Sequence, residues 1–261
     1  MRALIAFVVI YPSLLGVLFA LLFSFARYFA VPKDQKRTEW FIIAAALAIP
    51  ANIAAEAVTK WISILRPLKY DLYIFHIDGL LGFQPSFSIG RLTSSHLWLE
   101  MLASFGYGAL SLAMLAVFAA YLWRRPQAQA IALFKTFALN LCASLPIYLL
   151  IPVSGPQFAF QQFPTVIPSI VAHPIFLSAP PNGIPSVHFS TALLIAWYAR
   201  HWLLGRLLGI AYVVIMGIAT LGSGQHYLVD LLLGVPYAIA VYRTCNPGSA
   251  AARNRPSRNG A

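Results

Sequence analysis

Residues 101–123 carry no charge, and the same is true of 3–26, 40–55 and 207–225. In the hydrocarbon of a bilayer no water is available to an amide, so each backbone N–H and C=O must find its partner inside its own segment. Apolar runs of about twenty residues are therefore read as membrane helices. The rest of the chain agrees: 60% of its 261 residues are hydrophobic and only 10% charged, which excludes an ordinary soluble domain. Seven stretches could cross: 3–26, 40–58, 97–123, 131–152, 186–203, 207–223 and 227–243. The expected fold is all-α, a polytopic membrane bundle of six to seven helices. Residues 1–245 form one catalytic domain, with its motifs in 131–243, and 246–261 form a disordered basic tail.

The first segment has little basic flank beyond Arg2 and no small-residue cleavage site, so it reads as a retained anchor. Cys142 lies in a span and Cys245 near the tail, which gives no disulfide framework. Placing the N-terminus outside puts thirteen of the eighteen basic residues inside, among them Lys33, Lys36, Arg37, Arg124, Arg125, Arg206 and Arg243. The net charge of +11 is thus an orientation signal and calls for no nucleic acid. A multi-pass protein of the plasma membrane with a cytoplasmic C-terminus is expected. Lys60, Arg66, Lys69 and Arg91 run against the bias in an outer region, 60–96, and together suggest an anionic ligand there.

Three ionisable residues sit in apolar surroundings where charge is costly and normally functional: His188, His226 and Asp230. In PPNGIPSVHFSTALL, Pro and Gly give way to a helix with Ser186 near its cap and His188 in its first turn. In GSGQHYLVD, His226 is expected to open the last helix with Asp230 four residues on, on the same face. The orientation brings both histidines to one depth on the outer side. A carboxylate fixing one imidazole nitrogen leaves the other free as a nucleophile, and a second histidine can protonate a departing alkoxide. The helix starts and the Gly222–Ser223–Gly224 turn are expected to cradle an anion with backbone N–H groups. No cluster has metal-ligand spacing, and no cofactor or obligatory protein partner is implied.

These residues resemble the type 2 phosphatidic acid phosphatase superfamily. PSVH, 185–188, is similar to its second motif, and HYLVD, 226–230, to the end of its third. The resemblance implies His226 as phosphate-attacking nucleophile, Asp230 as its orienter and His188 as general acid, acting on a lipid substrate in the membrane. Two features depart from the pattern. Thr220 stands where the family's third motif carries arginine, and in KWISILRP five residues separate Lys60 from Arg66 where the family has six. Both departures resemble the aureobasidin-resistance and inositol phosphorylceramide synthase branch, as do IDGLLGFQPSF, with Asp78, Gly79 and Pro85, and IPVSGPQFAF, with Gly155 and Pro156. Arg66, Lys60, Ser186, Ser223 and Gly224 are candidate phosphate contacts. The expected activity is metal-independent headgroup transfer through a phosphohistidine to a lipid or polyol hydroxyl, as in an inositolphosphotransferase. Hydrolysis of a lipid phosphate or polyprenyl diphosphate is the alternative, and a proton-coupled transporter the reading from another class.

Overall fold

The structure is a computed structural model that describes residues 34–246 and, before them, 18, 20–22, 24, 25, 27–29 and 31. The first expected span, 3–26, lies mostly outside the described residues, and the tail beyond 246 lies wholly outside them.

Helix α1, Gln35–Leu65, is 31 residues long. At 1.5 Å per residue it extends about 46 Å, well beyond the ~30 Å hydrocarbon core. A two-residue strand β1, Leu68–Lys69, follows, then the short helices α2, Asp71–Gly79, and α3, Pro85–Ser95. The expected single span 97–123 is two helices, α4, Leu97–Gly108, and α5, Leu110–Arg124, bent by 54°. Gly106 allows a close approach at the end of α4, since a Cβ there would come within 2.3 Å of Ile215. Helices α6, Gln127–Cys142, and α7, Ser144–Leu150, form one 24-residue apolar run, interrupted at Ala143. Pro146 has no N–H to continue the ladder there.

After the four-residue α8, Pro156–Ala159, comes β2, Ile175–Phe176, which pairs antiparallel with β1 in the register Leu68↔Phe176. The chain ends in a three-helix hairpin: α9, Val187–Ala199; α10, Leu203–Gly222; and α11, Leu228–Cys245. Among the described residues four stretches are long and apolar enough to cross a membrane, five if the bent α4–α5 pair is one span. Helix α9, expected to span, is apolar but only 13 residues long. Along α10, Leu203, Leu207, Ile210 and Val214 are all more than half exposed. That uncovered apolar stripe is what a lipid-facing helix presents.

Two cores position the site. The larger lies among the long helices, where Phe41, Phe118, Leu133, Phe137, Leu194 and Tyr198 pack together. In the membrane, where lipid competes for apolar contact, polar pairs tie helices. Asn140 of α6 donates to Thr191 and accepts from Ser190, both on α9. The smaller core, built by Leu72, Phe75, Phe87, Val153, Phe160 and Ile184, closes over Tyr227 beside His226. Region 60–96, expected as an outer loop carrying cations, is therefore largely helical, and part of it is the floor of the site.

Candidate active site

His226 is buried, with 1% of its surface exposed. It lies in the non-helical link before α11, and so does not open that helix as expected. Its contact with Asp230 comes from a cap. Asp230 is the third residue of α11, and its Oδ2 reaches back to accept from the Tyr227 amide at 2.9 Å and meets the His226 Nδ1 at 3.3 Å. A carboxylate in this capping position is stabilised by the N-terminal amides while it orients the imidazole. Burial pushes the His226 imidazole down to about 4, so the ring is neutral at physiological pH. The Gly183 backbone hydrogen-bonds to the same ring.

His188 faces this pair from α9, its ring centroid 6.4 Å from that of His226. Two imidazoles this close can act on the same bound group, one at phosphorus and the other at the leaving oxygen. Ser186 caps α9, its Oγ accepting from the Phe189 amide at 3.4 Å, and its own N–H donates to the Asp230 carbonyl, joining the two motifs directly. Tyr107, at the end of α4 just before the bend, stacks on His188 with centroids 4.2 Å apart and planes at 20°. Its hydroxyl stands 3.4 Å from Nδ1. The break between α4 and α5 thus follows the residue laid over the second histidine.

Short helices α2 and α3 brace the link that carries His226. Asp78 accepts from the Leu228 amide at 2.8 Å and the Val229 amide at 3.1 Å, a cap for α11 supplied from elsewhere in the chain. Asp71 accepts from the amides of Ser154 and Gly155 and from the Tyr227 hydroxyl. Ser86 donates to the His226 carbonyl at 2.9 Å. Gly155 has φ +111°, and a Cβ there would stand 2.3 Å from the Gln225 carbonyl, so only glycine allows this approach. Burial pushes both Asp71 and Asp78 up to about 6, partly offset by the amides each accepts from.

The expected phosphate contacts are placed differently from one another. Ser186 is buried beside His188. Arg66 ends α1 and is half-buried. Lys60 is exposed and engaged with Glu56 at 2.7 Å, the pairing their four-residue spacing suggests. The Gly222–Gly224 turn is not the anion cradle expected of it. The amides of Ser223, Gly224, Gln225 and His226 all donate to carbonyls of the last turn of α10, and Gly224 is packed against Phe163. The first amides of α11 are likewise taken, by Asp78 and Asp230. At the start of α9, Ser186 caps the Phe189 amide, which leaves the Val187 and His188 amides as the helix-start donors next to the histidine pair. Thr220, in place of the family arginine, is buried and its hydroxyl returns to the Met216 carbonyl.

Sequence reasoning left Tyr107, Asp71 and Ser86 out of the site. It read Asp78 and Gly155 as turn residues in a branch-like pattern and gave neither a role. It also counted Lys69 as an outer cation, whereas Lys69 is the buried cation among the described residues, donating to the Arg66 carbonyl. Burial pulls its ammonium down to about 8, against the attraction of Asp71. Among the described residues no group of three His, Cys, Asp or Glu is arranged to hold a metal ion.

No curated protein and no solved structure matches the chain. A family model described as the PAP2 superfamily matches residues 72–244, a span that begins in α2, ends in α11 and contains both histidines and Asp230. That covers about two thirds of the sequence, and the chain belongs to the PAP2 superfamily.

Proposed function

We propose that the protein is a lipid phosphotransferase working through a phosphohistidine at the outer face of the plasma membrane, its C-terminus cytoplasmic. The observation that carries this reading is the facing pair: His226 held through Nδ1 by Asp230, with His188 6.4 Å away. Superfamily membership supports phosphatase-type chemistry. In the first step Nε2 of His226 attacks phosphorus, the P–O bond to the leaving group breaks, and His188 gives that oxygen a proton. Asp230 balances the imidazolium that carries the new P–N bond. In the second step His188 takes the proton of an acceptor hydroxyl, that oxygen attacks phosphorus, and His226 is released.

Transfer to a lipid or polyol hydroxyl, inositolphosphotransferase-like, is favoured because His226 is almost fully enclosed and the cavity at His188 is mostly apolar. Such surroundings exclude water and favour an acceptor delivered with the lipid. Hydrolysis of a lipid phosphate or polyprenyl diphosphate is the second reading, favoured by the superfamily's phosphatase character. The phosphoryl charge is met by the α9 amides, with Arg66 as a candidate further cation.

Purified protein, given a lipid labelled on phosphorus and quenched within a turnover, is expected to hold label that survives base and is lost in acid. The label should be absent from the His226→Ala variant. Activity should persist in EDTA and fall with vanadate. An adduct stable in acid and labile in base would point to a carboxylate or serine ester and overturn the histidine nucleophile. Adding a polyol or ceramide acceptor then separates transfer from hydrolysis by the product formed.

A further inference from the structure

A cavity of about 530 Å³ runs from His188 between α1 on one side and α5 and α6 on the other. Its lining is graded. At the His188 end stand Asn182 and, on α1, Asn52, Glu56 and Thr59, spaced to share one face of the helix. Further along, the walls are apolar: Ala44, Leu47 and Ala51 of α1 face Met114 and Phe118 of α5 and Phe134 of α6. From Thr59 to Ala44 the lining spans fifteen residue steps of α1, about 22 Å, which exceeds the ~15 Å depth of one leaflet's hydrocarbon. The Asn182 Oδ1 is buried without a hydrogen-bond partner, and Asn182 lines the cavity together with His188.

A cavity of this volume has room for a long hydrocarbon chain, at about 30 Å³ per methylene if a methylene is taken as similar in volume to a water. Helix α1 lies wholly before residue 72, where the superfamily match begins. This wall is therefore built from residues outside the matched span.

We propose that α1, α5 and α6 seat a single hydrocarbon chain of the phosphorylated lipid, entering sideways from the bilayer, and that Ala51 and Ala55 of α1 set the width of that seat. The chain lies along the apolar stretch and its polar head is delivered past Asn182 to His188. The small alanine side chains leave the space, and the graded lining fixes which end of the lipid points to the histidines. The proposal rests on the phosphotransfer reading for its substrate, but its binding test does not require turnover.

The full-length protein in lipid nanodiscs is photolysed with octadecyl phosphate carrying a mid-chain diazirine, and the labelled peptides are mapped. Label is expected on α1 and α5, equally in the His226→Ala variant, and reduced by Ala51→Phe. In parallel, kcat/KM is compared for octadecyl and octyl phosphates. Ala51→Phe and Ala55→Leu are expected to lower the long-to-short ratio by about tenfold, the scale on which a pocket discriminates chain size. Label on other helices, or an unchanged ratio in both variants, overturns the seat. Label in the groove without turnover of either ester keeps the seat and defeats the phosphotransfer reading, whereas turnover with label elsewhere does the reverse.

Discussion

The carboxylate of Asp78 accepts the amide of Leu228 at 2.8 Å, a bond between residues 150 positions apart. It fixes the first turn of α11 two residues after His226. Asp78→Ala removes two charge-assisted bonds and leaves the Leu228 and Val229 amides without their acceptor. Relief from burying a carboxylate offsets part of that loss, so the net destabilisation should be about 1–2 kcal/mol, the range of a lost helix cap. Asp78→Asn can accept from only one of the two amides and should fall between. Thermal unfolding in detergent measures the first effect. A larger fractional loss in kcat than in KM would show that the capped turn positions His226, and unchanged kcat in both variants would refute it.

Tyr107 separates two contributions to His188. Tyr107→Phe keeps the ring stacked at 4.2 Å and removes only the hydroxyl near Nδ1. One such polar contact is worth roughly 0.5–1.5 kcal/mol, so kcat should drop about two- to tenfold, and the pH profile of kcat should shift. Tyr107→Ala removes the stack as well and should cost more. Equal effects of the two substitutions would assign the whole contribution to stacking.

The candidate residues His188, His226 and Asp230 could be picked out because their signal is local and chemical. Ionisable residues in apolar runs have few roles, and two motifs flanking one helical hairpin fix their common depth. What could not be read was everything that depends on distant contacts. Residues 71–95 mix polar and apolar side chains without a strong period, so nothing in them announces that Asp71, Asp78 and Ser86 fold under Tyr227 and His226. The Gly222–Gly224 turn was misjudged because the carbonyls ending α10 claim the same amides an anion would use. His226 falls outside α11 because Tyr227 has extended backbone at the N-cap and Asp230 closes that cap from within. The break after Tyr107 was hidden by apolarity that continues unchanged across it.

Stability should depend on pH through the floor of the site. Burial raises Asp71 and Asp78 from 3.8 to about 6, so the folded state holds their protons more tightly than the unfolded state. Their contribution is fully present below about 3.8 and is lost as pH rises through about 6. The melting temperature of the detergent-solubilised protein should therefore decline between pH 4 and pH 7. In Asp71→Asn the decline should be shallower, whatever the variant's absolute stability. An identical slope in the variant would show that Asp71 does not titrate in this window.

The triad itself predicts a graded series. On the proposed mechanism His226→Ala removes the nucleophile and His188→Ala the proton donor, so each should abolish turnover while leaving membrane insertion intact. Asp230→Asn keeps the shape but loses the charge opposite the imidazolium, and places an amide against Nδ1, where Oδ2 now stands 3.3 Å away. By the behaviour of triads built on the same logic, that change should slow turnover by about two or more orders of magnitude without removing it. Because Oδ2 also caps the Tyr227 amide, Asp230→Asn should disturb folding less than Asp230→Ala, which loses the acceptor altogether. Single-turnover kinetics should show slower formation of the phosphorylated protein in Asp230→Asn. Formation at the normal rate with slowed release would move the role of Asp230 to the second step, and unimpaired turnover in the His226 variant would dismiss the nucleophile.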